Sequence, residues 1–337
     1  MDEVSEHNMK IIVLGSGSFA GQATFANLVN RGFNVYGINR SKPKNKYFWE
    51  WRDSYDKELN NYWFDVNIND ETERIVEIIK DINPTHIVDF MGQGMVAQSW
   101  NDPSLWYSTN ILKKTYVLEE IRKLKNFEKY VRASTPEVFG SNFKYVDVNQ
   151  SFNPSTPYAV SHSAIDFHIR CIGENFNFPY AIGRFSNFYG EGQQLYRLIP
   201  KAFLSFLSGK KFILDGNGSS IRSFIYTDDF VSAINKLLFD AIPKSEYNFS
   251  GSEEISIIDL VKIICKETQV QFDKAVQFGP DRKGKDLVYR LDCTKSKKEL
   301  VWEPNISLLK GINKVHKWIS RNFDVLSKES WDYIHKC

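Results

Sequence analysis

The sequence predicts an α/β protein with a doubly wound parallel sheet and a smaller, interleaved C-terminal substrate domain. In the first half of the chain, short apolar runs alternate with amphipathic segments of helical spacing. A glycine-rich turn, "GSGSFAG", joins the first apolar run to the first amphipathic segment. The 337 residues, of which 42% are hydrophobic, can bury one large core or two modest ones.

The first predicted elements are a strand, a helix and two more strands. The run "KIIVLG" (10–15) is short and apolar and ends in glycine, which is typical of a buried strand. The segment "QATFANLVNRG" has helical spacing and ends at Gly32, which suits a helix C-terminus. The runs "NVYGIN" and "YWFDVN" are predicted as the second and third strands.

Two further pairs of helix and strand complete the pattern. "ETERIVEIIKDINP" is predicted as a helix stopped by Pro84, and "THIVDFMG" as a buried strand. "NILKKTYVLEEIRKLKN" is predicted as a helix and "KYVRAST" as a strand. In parallel sheets of this kind, ligands bind at the carboxyl ends of the strands, so the residues that follow each strand are the candidate site residues.

The glycine turn predicts a dinucleotide site of the Rossmann type. Glycines let the backbone approach a pyrophosphate, and the helix N-terminus offers free N–H groups and a positive dipole end. Gly15, Gly17 and Ala20 fit the pattern G-x-G-x-x-A. The alternative is a tight turn without a ligand. The residues expected at the cofactor are Gly15, Gly17, Ser18, Phe19 and Gly21.

The end of the second strand indicates which dinucleotide binds. An NAD site places an acid there for the ribose hydroxyl, but this chain has Asn39, Arg40 and Ser41. An arginine and a hydroxyl suit a 2′-phosphate, so the sequence predicts NADP, with NAD as the alternative. Asp65 and Val66, at the end of the third strand, are expected beside the adenine. Capping the next turn is the other possible role of Asp65.

Two motifs in the middle of the chain carry candidate chemistry. "RASTPEVFG" places Ser134, Thr135 and Glu137 at the end of a strand, where they can polarise a substrate oxygen and remove a carbon-bound proton. The same residues can also cap a following helix. About 20 residues later, "TPYAVSH" places Tyr158 one helical turn before His162.

With the motifs that follow, the chain resembles an extended short-chain dehydrogenase/reductase of the NAD(P)-dependent nucleotide-sugar epimerase/dehydratase family. The resemblance runs from about Lys10 to about Trp318. It rests on the glycine turn and on "STPEVFG" for S-T/S-x-E-V-Y-G, "PYAVSH" for P-Y-x-x-x-K, "RFSNFYGEGQ" for R-x-x-N-x-Y-G-P-G and "IRSFIYTDD" for R-D-F-x-Y-V-x-D.

The resemblance implies a role for each motif residue. Tyr158 would exchange a proton with the C4 hydroxyl of the sugar, and Thr135 would bond the same oxygen. Glu137 would remove the C5 proton, as in the 4,6-dehydratases. Substrate contacts would come from Ser134, Asn187, Arg222 and Arg282, the last three at the diphosphate, because arginine forks suit phosphate geometry.

The sequence departs from the family pattern in three of its motifs. Pro136 stands where dTDP-sugar members have the aspartate that protonates the C6 oxygen. Gly92 and Gln93 lie in "MGQGMVAQSW", which departs from the family turn after the fourth strand. His162 replaces the lysine that, in the family, bonds the nicotinamide ribose and lowers the pKa of the tyrosine with its charge.

His162 leaves three interpretations open. The chain is an active enzyme with a histidine-tuned tyrosine, a related enzyme with slow or altered redox chemistry, or a binding protein that has lost catalysis. A histidine with an ordinary pKa is only partly charged at neutral pH. It would act either as a cation or as a neutral hydrogen-bond partner. Because Tyr158, Thr135 and Glu137 are all present, the sequence favours an active enzyme.

Composition excludes several classes of function. The net charge is +2 and the basic residues are scattered, so nucleic acid is not an expected partner. No apolar run is long enough to span a membrane, and "MDEVSEHNMK" lacks the order of a signal peptide. The four cysteines match no zinc spacing, so we expect no metal and free thiols in a reducing compartment. The predicted location is cytoplasmic.

The sequence therefore predicts an NADP-dependent nucleotide-sugar 4,6-dehydratase whose partner is a nucleotide-diphosphate sugar. The alternatives are an epimerase or decarboxylase of the same family, or a sensor or scaffold that binds the same ligands. Residues 1–183 and 222–265 are assigned to the Rossmann domain, and residues 184–221 and 266–337 to the substrate domain. Apolar positions on "NILKKTYVLEEIRKL" and on the helix after Tyr158 predict a homodimer.

Overall fold

A computed structural model describes residues 9–41, 46–49, 62–280 and 286–335. Its strands are β1 (Lys10–Leu14), β2 (Asn34–Asn39), β3 (Trp63–Asp65), β4 (His86–Asp89), β5 (Lys129–Ser134), β6 (Tyr145–Val146), β7 (Tyr180–Phe185), β8 (Asn187–Tyr189), β9 (Phe212–Asp215), β10 (Ile221–Tyr226), β11 (Ser245–Phe249), β12 (Glu254–Ser256), β13 (Val276–Gly279) and β14 (Arg290–Leu291).

The α-helices alternate with these strands in the first half of the chain and predominate near its end. They are α1 (Phe19–Asn30), α2 (Thr72–Ile82), α3 (Pro103–Tyr107), α4 (Lys114–Ile121), α5 (Pro157–Phe176), α6 (Leu198–Leu207), α7 (Thr227–Asn235), α8 (Ile257–Glu267), α9 (Phe272–Ala275), α10 (Thr294–Leu300), α11 (Leu308–Arg321) and α12 (Phe323–Leu326).

Seven of the described strands form a parallel sheet in the order β11-β7-β5-β4-β1-β2-β3. The chain builds outward from β1 to β3, then returns to β4 and builds outward on the other side. The strand order therefore reverses between β1 and β4, and this switch point is where ligands bind in open α/β sheets. The predicted fold class is confirmed.

Both faces of the sheet are covered, as expected for parallel strands. Alternate residues of β1 point to opposite sides: Ile11 and Val13 pack into a core with α1 and α7, whereas Ile12 and Leu14 pack into a core with α2, α4 and α5. A separate core lies among α6, α8, α11 and the strands β9 and β10. This core combines elements assigned to the predicted substrate domain with β10 and α8, which were assigned to the Rossmann domain.

The helix predicted from "NILKKTYVLEEIRKLKN" differs from the observed one in its path. Helical structure begins earlier, at Pro103, and widens into a π-helical turn over Ser108–Lys113 before α4. Asn110 and Lys114, in and just after that turn, are buried, and their side chains bond residues of the loop after β4. A π-helical turn often marks a functional site, and this one carries polar groups inward.

The predicted domain boundaries remain predictions. Strand β7 crosses the predicted boundary at 183/184, and β11 joins the large sheet. Phe224 of β10 and Leu260 of α8 lie in the segment assigned to the Rossmann domain, yet they pack in the core of α6, α8 and α11. The two parts of the chain are therefore closely interleaved around the segment 222–265.

The described residues contain no helix long and apolar enough to cross a membrane. Nor do they contain a group of three or more histidine, cysteine, aspartate or glutamate side chains suited to a metal ion. Cys171, Cys265 and Cys293 are free thiols, and Cys337 lies outside the described residues. The cytoplasmic location stays a prediction.

Candidate active site

A cavity of about 1070 Å³ runs along the carboxyl ends of the sheet strands and continues to β9. It gathers most of the residues predicted from the sequence. Those that line it are Gly15, Gly17, Ser18, Phe19, Asn39, Arg40, Ser41, Val66, Ser134, Thr135, Glu137, Tyr158, His162, Asn187 and Arg222. Gly21 and Asp65 are not among the lining residues, and Arg282 lies outside the described part of the chain.

The glycine turn is packed so tightly that side chains would not fit. Gly15 has φ +75°, and a Cβ there would lie 2.8 Å from the backbone nitrogen of Met91. A Cβ on Gly21 would lie 2.1 Å from the carbonyl oxygen of Gly15. Ser18 caps α1 by accepting a hydrogen bond of 2.9 Å from the Gly21 N–H. This close-packed turn at a helix N-terminus fits the pyrophosphate of a dinucleotide.

The end of β2 also fits a dinucleotide and has no acid. Asn39 lies against Gly17, where a Cβ would come within 2.1 Å of the Asn39 amide nitrogen, and it donates to the Ser41 carbonyl at 3.0 Å. Arg40 and Ser41 are exposed at the cavity. The exposed Asp65 carboxylate accepts from the Trp63 indole at 3.0 Å. This end of the cavity is therefore polar and carries an arginine.

Three groups with acid–base chemistry meet in the middle of the cavity. Thr135 follows β5 and accepts from the Glu137 N–H at 3.3 Å, so it caps the short 3₁₀ turn Pro136–Phe139 and also lines the site. Tyr158 lies in the first turn of α5, and Thr135 hydrogen-bonds its phenol. Both roles considered for the "STPE" motif, capping and chemistry, are therefore compatible with the same geometry.

Two of these groups have shifted acidities. Burial, followed by the nearby charge of Asp286, raises the pKa of Glu137 to about 7. Burial, followed by the charge of Glu137, raises the pKa of Tyr158 to about 12; the hydrogen bond from Thr135 and the charges of Arg197 and Arg132 oppose that rise. A carboxyl with a pKa near 7 can both accept and release a proton at neutral pH.

A buried network of ionised side chains lies directly behind these groups. We call it the charge cluster, and it consists of Asp89, Lys114, Arg132, Asp166 and Arg184. Lys114 Nζ lies 2.6 Å from Asp89 Oδ2, and Arg132 Nε lies 3.1 Å from Asp166 Oδ1. Arg184 Nη2 donates to Asp166 Oδ2 at 3.0 Å. Every member is buried with at least one opposite charge in contact, as buried charges require.

His162 contacts both the charge cluster and Tyr158. An Nη2–H of Arg132 donates to His162 Nδ1 at 3.0 Å, and the His162 ring centroid lies 4.4 Å from that of Tyr158. Burial, followed by the charges of Arg132 and Lys114, lowers the pKa of His162 well below its ordinary value. Of the two roles left open by the sequence, the geometry favours a neutral hydrogen-bond partner over a cation.

The predicted substrate residues at the far end of the cavity are held by protein partners. Asn187 Oδ1 accepts a short hydrogen bond from the Tyr289 hydroxyl. The guanidinium of Arg222 stacks on the Tyr289 ring at 4.5 Å and donates to backbone carbonyls, including that of Leu287 at 3.1 Å. Ser134 donates to Asp166 at 2.7 Å. Whether these three residues also contact a substrate stays a prediction.

Sequence reasoning missed several residues of the site. Arg197, Asp286 and Tyr289 line the cavity. Asp286 raises the pKa of Glu137, and Arg197 opposes the rise in the pKa of both Glu137 and Tyr158. Glu137 and Tyr158 in turn help to raise the pKa of Tyr289. The charge cluster was also missed. The sequence does contain a pattern that indicates the charge cluster. Three apolar strand runs, "HIVDF", "KYVRAS" and "AIGRF", each carry a charged residue near the carboxyl end.

The comparisons with known sequences agree on one family. The model of the family described as GDP-mannose 4,6 dehydratase matches residues 12–315. A dTDP-glucose 4,6-dehydratase from Escherichia coli is 27% identical, and the alignment covers 97% of this chain and 96% of that protein. A dTDP-glucose 4,6-dehydratase from Salmonella typhimurium is 28% identical, with 93% of each chain covered.

Solved structures with the same fold include dehydratases and epimerases. A dTDP-glucose 4,6-dehydratase double mutant from Streptomyces venezuelae, solved with NAD bound, has a TM-score of 0.86 at 23% identity and covers 94% of this chain and 98% of its own. A UDP-glucose 4-epimerase from Thermotoga maritima, solved with UDP-glucose, has a TM-score of 0.83 at 24% identity and covers 94% and 100%. At these identities the likeness establishes the fold.

Proposed function

The chain belongs to the GDP-mannose 4,6-dehydratase family, and on that premise we propose that it is an NADP-dependent nucleotide-sugar 4,6-dehydratase. The observation that carries this proposal is the meeting of Thr135, Glu137 and Tyr158 in one cavity, with the pKa of Glu137 raised to about 7. These are the groups needed to handle a C4 hydroxyl and a C5 proton.

The chemistry begins at the C4 hydroxyl of the sugar. Bound NADP would supply the two-electron oxidation of C4 and the matching reduction at C6. The pKa of Tyr158 is about 12 in the protein alone, and the positive charge of an oxidised nicotinamide would help to form its phenolate. In that form Tyr158 takes the proton of the C4 hydroxyl, and Thr135 holds the same oxygen. The resulting C4 ketone makes the C5 proton acidic, so that a carboxylate at Glu137 can remove it.

Glu137 can also protonate the C6 oxygen, which the aspartate at the position of Pro136 does in the dTDP-sugar members. The C6 oxygen must leave as water, and Pro136 offers no acid. Once Glu137 holds the C5 proton it is a carboxylic acid, and its pKa of about 7 lets it pass that proton to the C6 oxygen. We propose that this single residue is both base and acid, so the proton lost from C5 leaves in the water. As C6 is reduced, C5 takes up a proton from solvent, and Tyr158 releases to solvent the proton that it took from the C4 hydroxyl.

Mass spectrometry tests the reaction directly. The protein is incubated with NADP and a panel of nucleotide-diphosphate sugars, and the expected product is the 4-keto-6-deoxy sugar, lighter by one water. The Glu137→Gln protein should bind cofactor and nucleotide sugar but release no water. Loss of water at the parent rate in that variant would remove Glu137 from the mechanism.

The preference for NADP rests on the end of β2. Arg40 and Ser41 line the cavity, and no carboxylate follows the strand within the described residues. Several solved relatives contain NAD, so the comparison to make is between the two dinucleotides. We expect tighter binding of NADP by calorimetry and a selective loss of that affinity in Arg40→Ala. Tighter binding of NAD by the parent protein contradicts the preference.

We also propose a homodimer formed through α4, α5 and the turn before α4. Large apolar side chains on these helices are exposed, among them Leu112 at 66%, Phe167 at 48% and Tyr116 at 45%. An exposed apolar face of this kind marks an interaction surface. Light scattering at micromolar concentration should give twice the chain mass, and Leu112→Glu should shift it toward the monomer. A monomeric parent protein rules the proposal out.

Decarboxylation is a second candidate because of Arg197. The residue lines the cavity, and its positive charge acts on both Glu137 and Tyr158. It can therefore meet a carboxylate at C6 of a uronic acid, a contact that the sequence alone did not identify. The same mass measurement separates the possibilities: loss of carbon dioxide indicates a decarboxylase, no change in mass an epimerase, and no reaction with any sugar a binding protein.

A further inference from the structure

We propose that Arg132, acting through His162, supplies the fixed positive charge and the oriented donor that a lysine supplies in the Y-x-x-x-K motif. This inference rests on the proposed function. Arg132 acts on the reaction through its hydrogen bond to His162, so it is a positioning residue. Its charge comes from β5, whereas His162 and Tyr158 both lie on α5.

The hydrogen bond between the two residues fixes the state of the imidazole. A guanidinium has donors only, so His162 Nδ1, 3.0 Å from Arg132 Nη2, must be the acceptor. A neutral imidazole that accepts at Nδ1 carries its proton at Nε2. Within the described part of the chain, His162 makes its side-chain hydrogen bond through Nδ1 alone. Nε2–H is therefore the donor left for a ligand in the cavity that His162 lines.

Arg132 is held so that its position cannot drift. Its side chain is 2% exposed, and each guanidinium nitrogen has a different partner. Nε donates to Asp166 Oδ1 at 3.1 Å, and Nη1 lies 3.4 Å from Asp89 Oδ2, which leaves Nη2 for His162. The two carboxylates orient the fork, and the fork in turn orients the imidazole.

The charge cluster carries one more positive than negative charge. It contains three cations, Lys114, Arg132 and Arg184, and two carboxylates, Asp89 and Asp166. Arg184 also contacts Glu246, which contacts Arg170, so the next pair adds one charge of each sign. The excess charge lies next to His162, and the charge of Arg132 opposes the rise in the pKa of Tyr158 that burial and Glu137 cause.

The proposal predicts that one cation is needed and that a second one is harmful. Arg132→Met removes the charge, and His162→Lys adds an ammonium where Arg132 already points. Each single variant should lose roughly tenfold to a hundredfold in kcat. The double variant Arg132→Met/His162→Lys again has one cation and should recover most of that loss. A double variant that is folded but no better than Arg132→Met overturns the proposal.

A second pair of variants leaves the charge cluster intact, so it remains informative if Arg132→Met does not fold. The amide of His162→Gln can accept from Arg132 and donate into the cavity, whereas His162→Met can do neither. We expect His162→Gln to stay within about tenfold of the parent and His162→Met to fall below it. Equal activity of the two variants overturns the proposal.

Histidine NMR provides a readout that does not depend on turnover. In the ligand-free protein, the ¹⁵N signals of His162 should show a proton at Nε2 and no titration near the ordinary pKa of histidine. In Arg132→Lys, which keeps the charge, they should be unchanged; in Arg132→Met, His162 should titrate closer to its ordinary pKa. A protein that turns over no nucleotide sugar contradicts the proposed function alone. A His162 that titrates in the parent, or has its proton at Nδ1, contradicts this inference alone.

Discussion

Asp89 and Glu137 are carboxyl groups at or just after the carboxyl ends of adjacent strands, yet their acidities are shifted in opposite directions. Asp89, at the end of β4, is 0% exposed, and its pKa is lowered. Glu137, just after β5, is only half-buried, and its pKa is raised to about 7. The more deeply buried carboxyl is thus the stronger acid.

The two pKa values differ because the two carboxyl groups have different partners, and not because of burial. Burial alone would raise the pKa of both. Asp89 is in contact with Lys114, Arg132 and the Tyr130 hydroxyl, and these partners outweigh burial. Glu137 has Asp286 as its strongest charged neighbour, so burial and like charge act together. The protein therefore keeps one carboxylate ionised for structure and leaves the other free to exchange a proton.

The largest expected effect follows from removing one partner of Asp89. Lys114 is buried, and burial lowers its pKa to about 8, so it is still protonated at pH 7. Lys114→Met leaves the Asp89 carboxylate with Arg132, at 3.4 Å, in place of two cations. We expect a loss of roughly 3–5 kcal/mol in the free energy of unfolding, measured by urea denaturation at pH 7.

Two controls show whether the charge is the cause. Lys113→Met changes a half-buried neighbour on the same helical segment and should cost much less. Asp89→Asn combined with Lys114→Met removes the unpaired carboxylate and should regain much of the loss. If Lys114→Met and Lys113→Met were equally stable, Asp89 would not depend on its lysine.

Replacing Glu137 by glutamine should instead stabilise the protein. The folded-state pKa of Glu137 is about 7 and its ordinary value is 4.5, so the folded protein binds the proton more tightly. Ionising Glu137 in the folded state is therefore costly, and stability falls as pH rises from about 4.5 to 7. Glu137→Gln should gain up to about 3 kcal/mol at pH 8 and nothing at pH 4.

Thermal unfolding at the two pH values measures this gain. Glu174→Gln, at an exposed carboxyl of α5, is the control and should leave the difference between pH 4 and pH 8 unchanged. A Glu137→Gln protein that is less stable than the parent at pH 8 would show that the ionised carboxylate has favourable partners in the fold.

The contrast also explains what could be predicted from the sequence. Thr135, Glu137 and Tyr158 lie in short motifs, because a strand end or a first helical turn positions each of them locally. Asp89 and Asp166 depend on partners far away in the chain, and only the sheet brings these together. In the sheet, Asp89 pairs in register with Arg132, and Ser134 with Arg184.

The fold was predictable for a related reason. Strands β1 to β5 and their connecting helices follow one another in sequence, so alternation alone indicated a parallel sheet. The packing of β10 and α8 with the later helices was not predictable, since it depends on contacts with α6 and α11. The role of His162 also required three dimensions, because Arg132 lies 30 residues earlier in the chain.

A smaller effect is expected in the pH dependence of the reaction. Only ionised Glu137 can take the C5 proton, so kcat/KM, which reports the free enzyme, should fall about tenfold per pH unit below a pKa of about 7. The pKa of His162 is too low to produce this limb. His162→Gln should therefore keep it, and its disappearance in that variant would assign the limb to His162.

The smallest expected effect concerns Ser134, which lies between the charge cluster around Asp89 and the cavity around Glu137. Its hydroxyl lines the cavity, where the sequence predicts a substrate contact, but it donates to Asp166 Oδ2 at 2.7 Å. Asp166 keeps two charged donors, Arg132 and Arg184, when that hydroxyl is removed. Ser134→Ala should therefore cost only about 1 kcal/mol of stability.

The KM for the nucleotide sugar shows which of the two roles Ser134 has. If Ser134 serves the charge cluster, this KM should stay at the parent value in Ser134→Ala, whereas Thr135→Ala should lower kcat. A raised KM with unchanged stability would instead show that Ser134 contacts the substrate and that Asp166 does not need its hydroxyl.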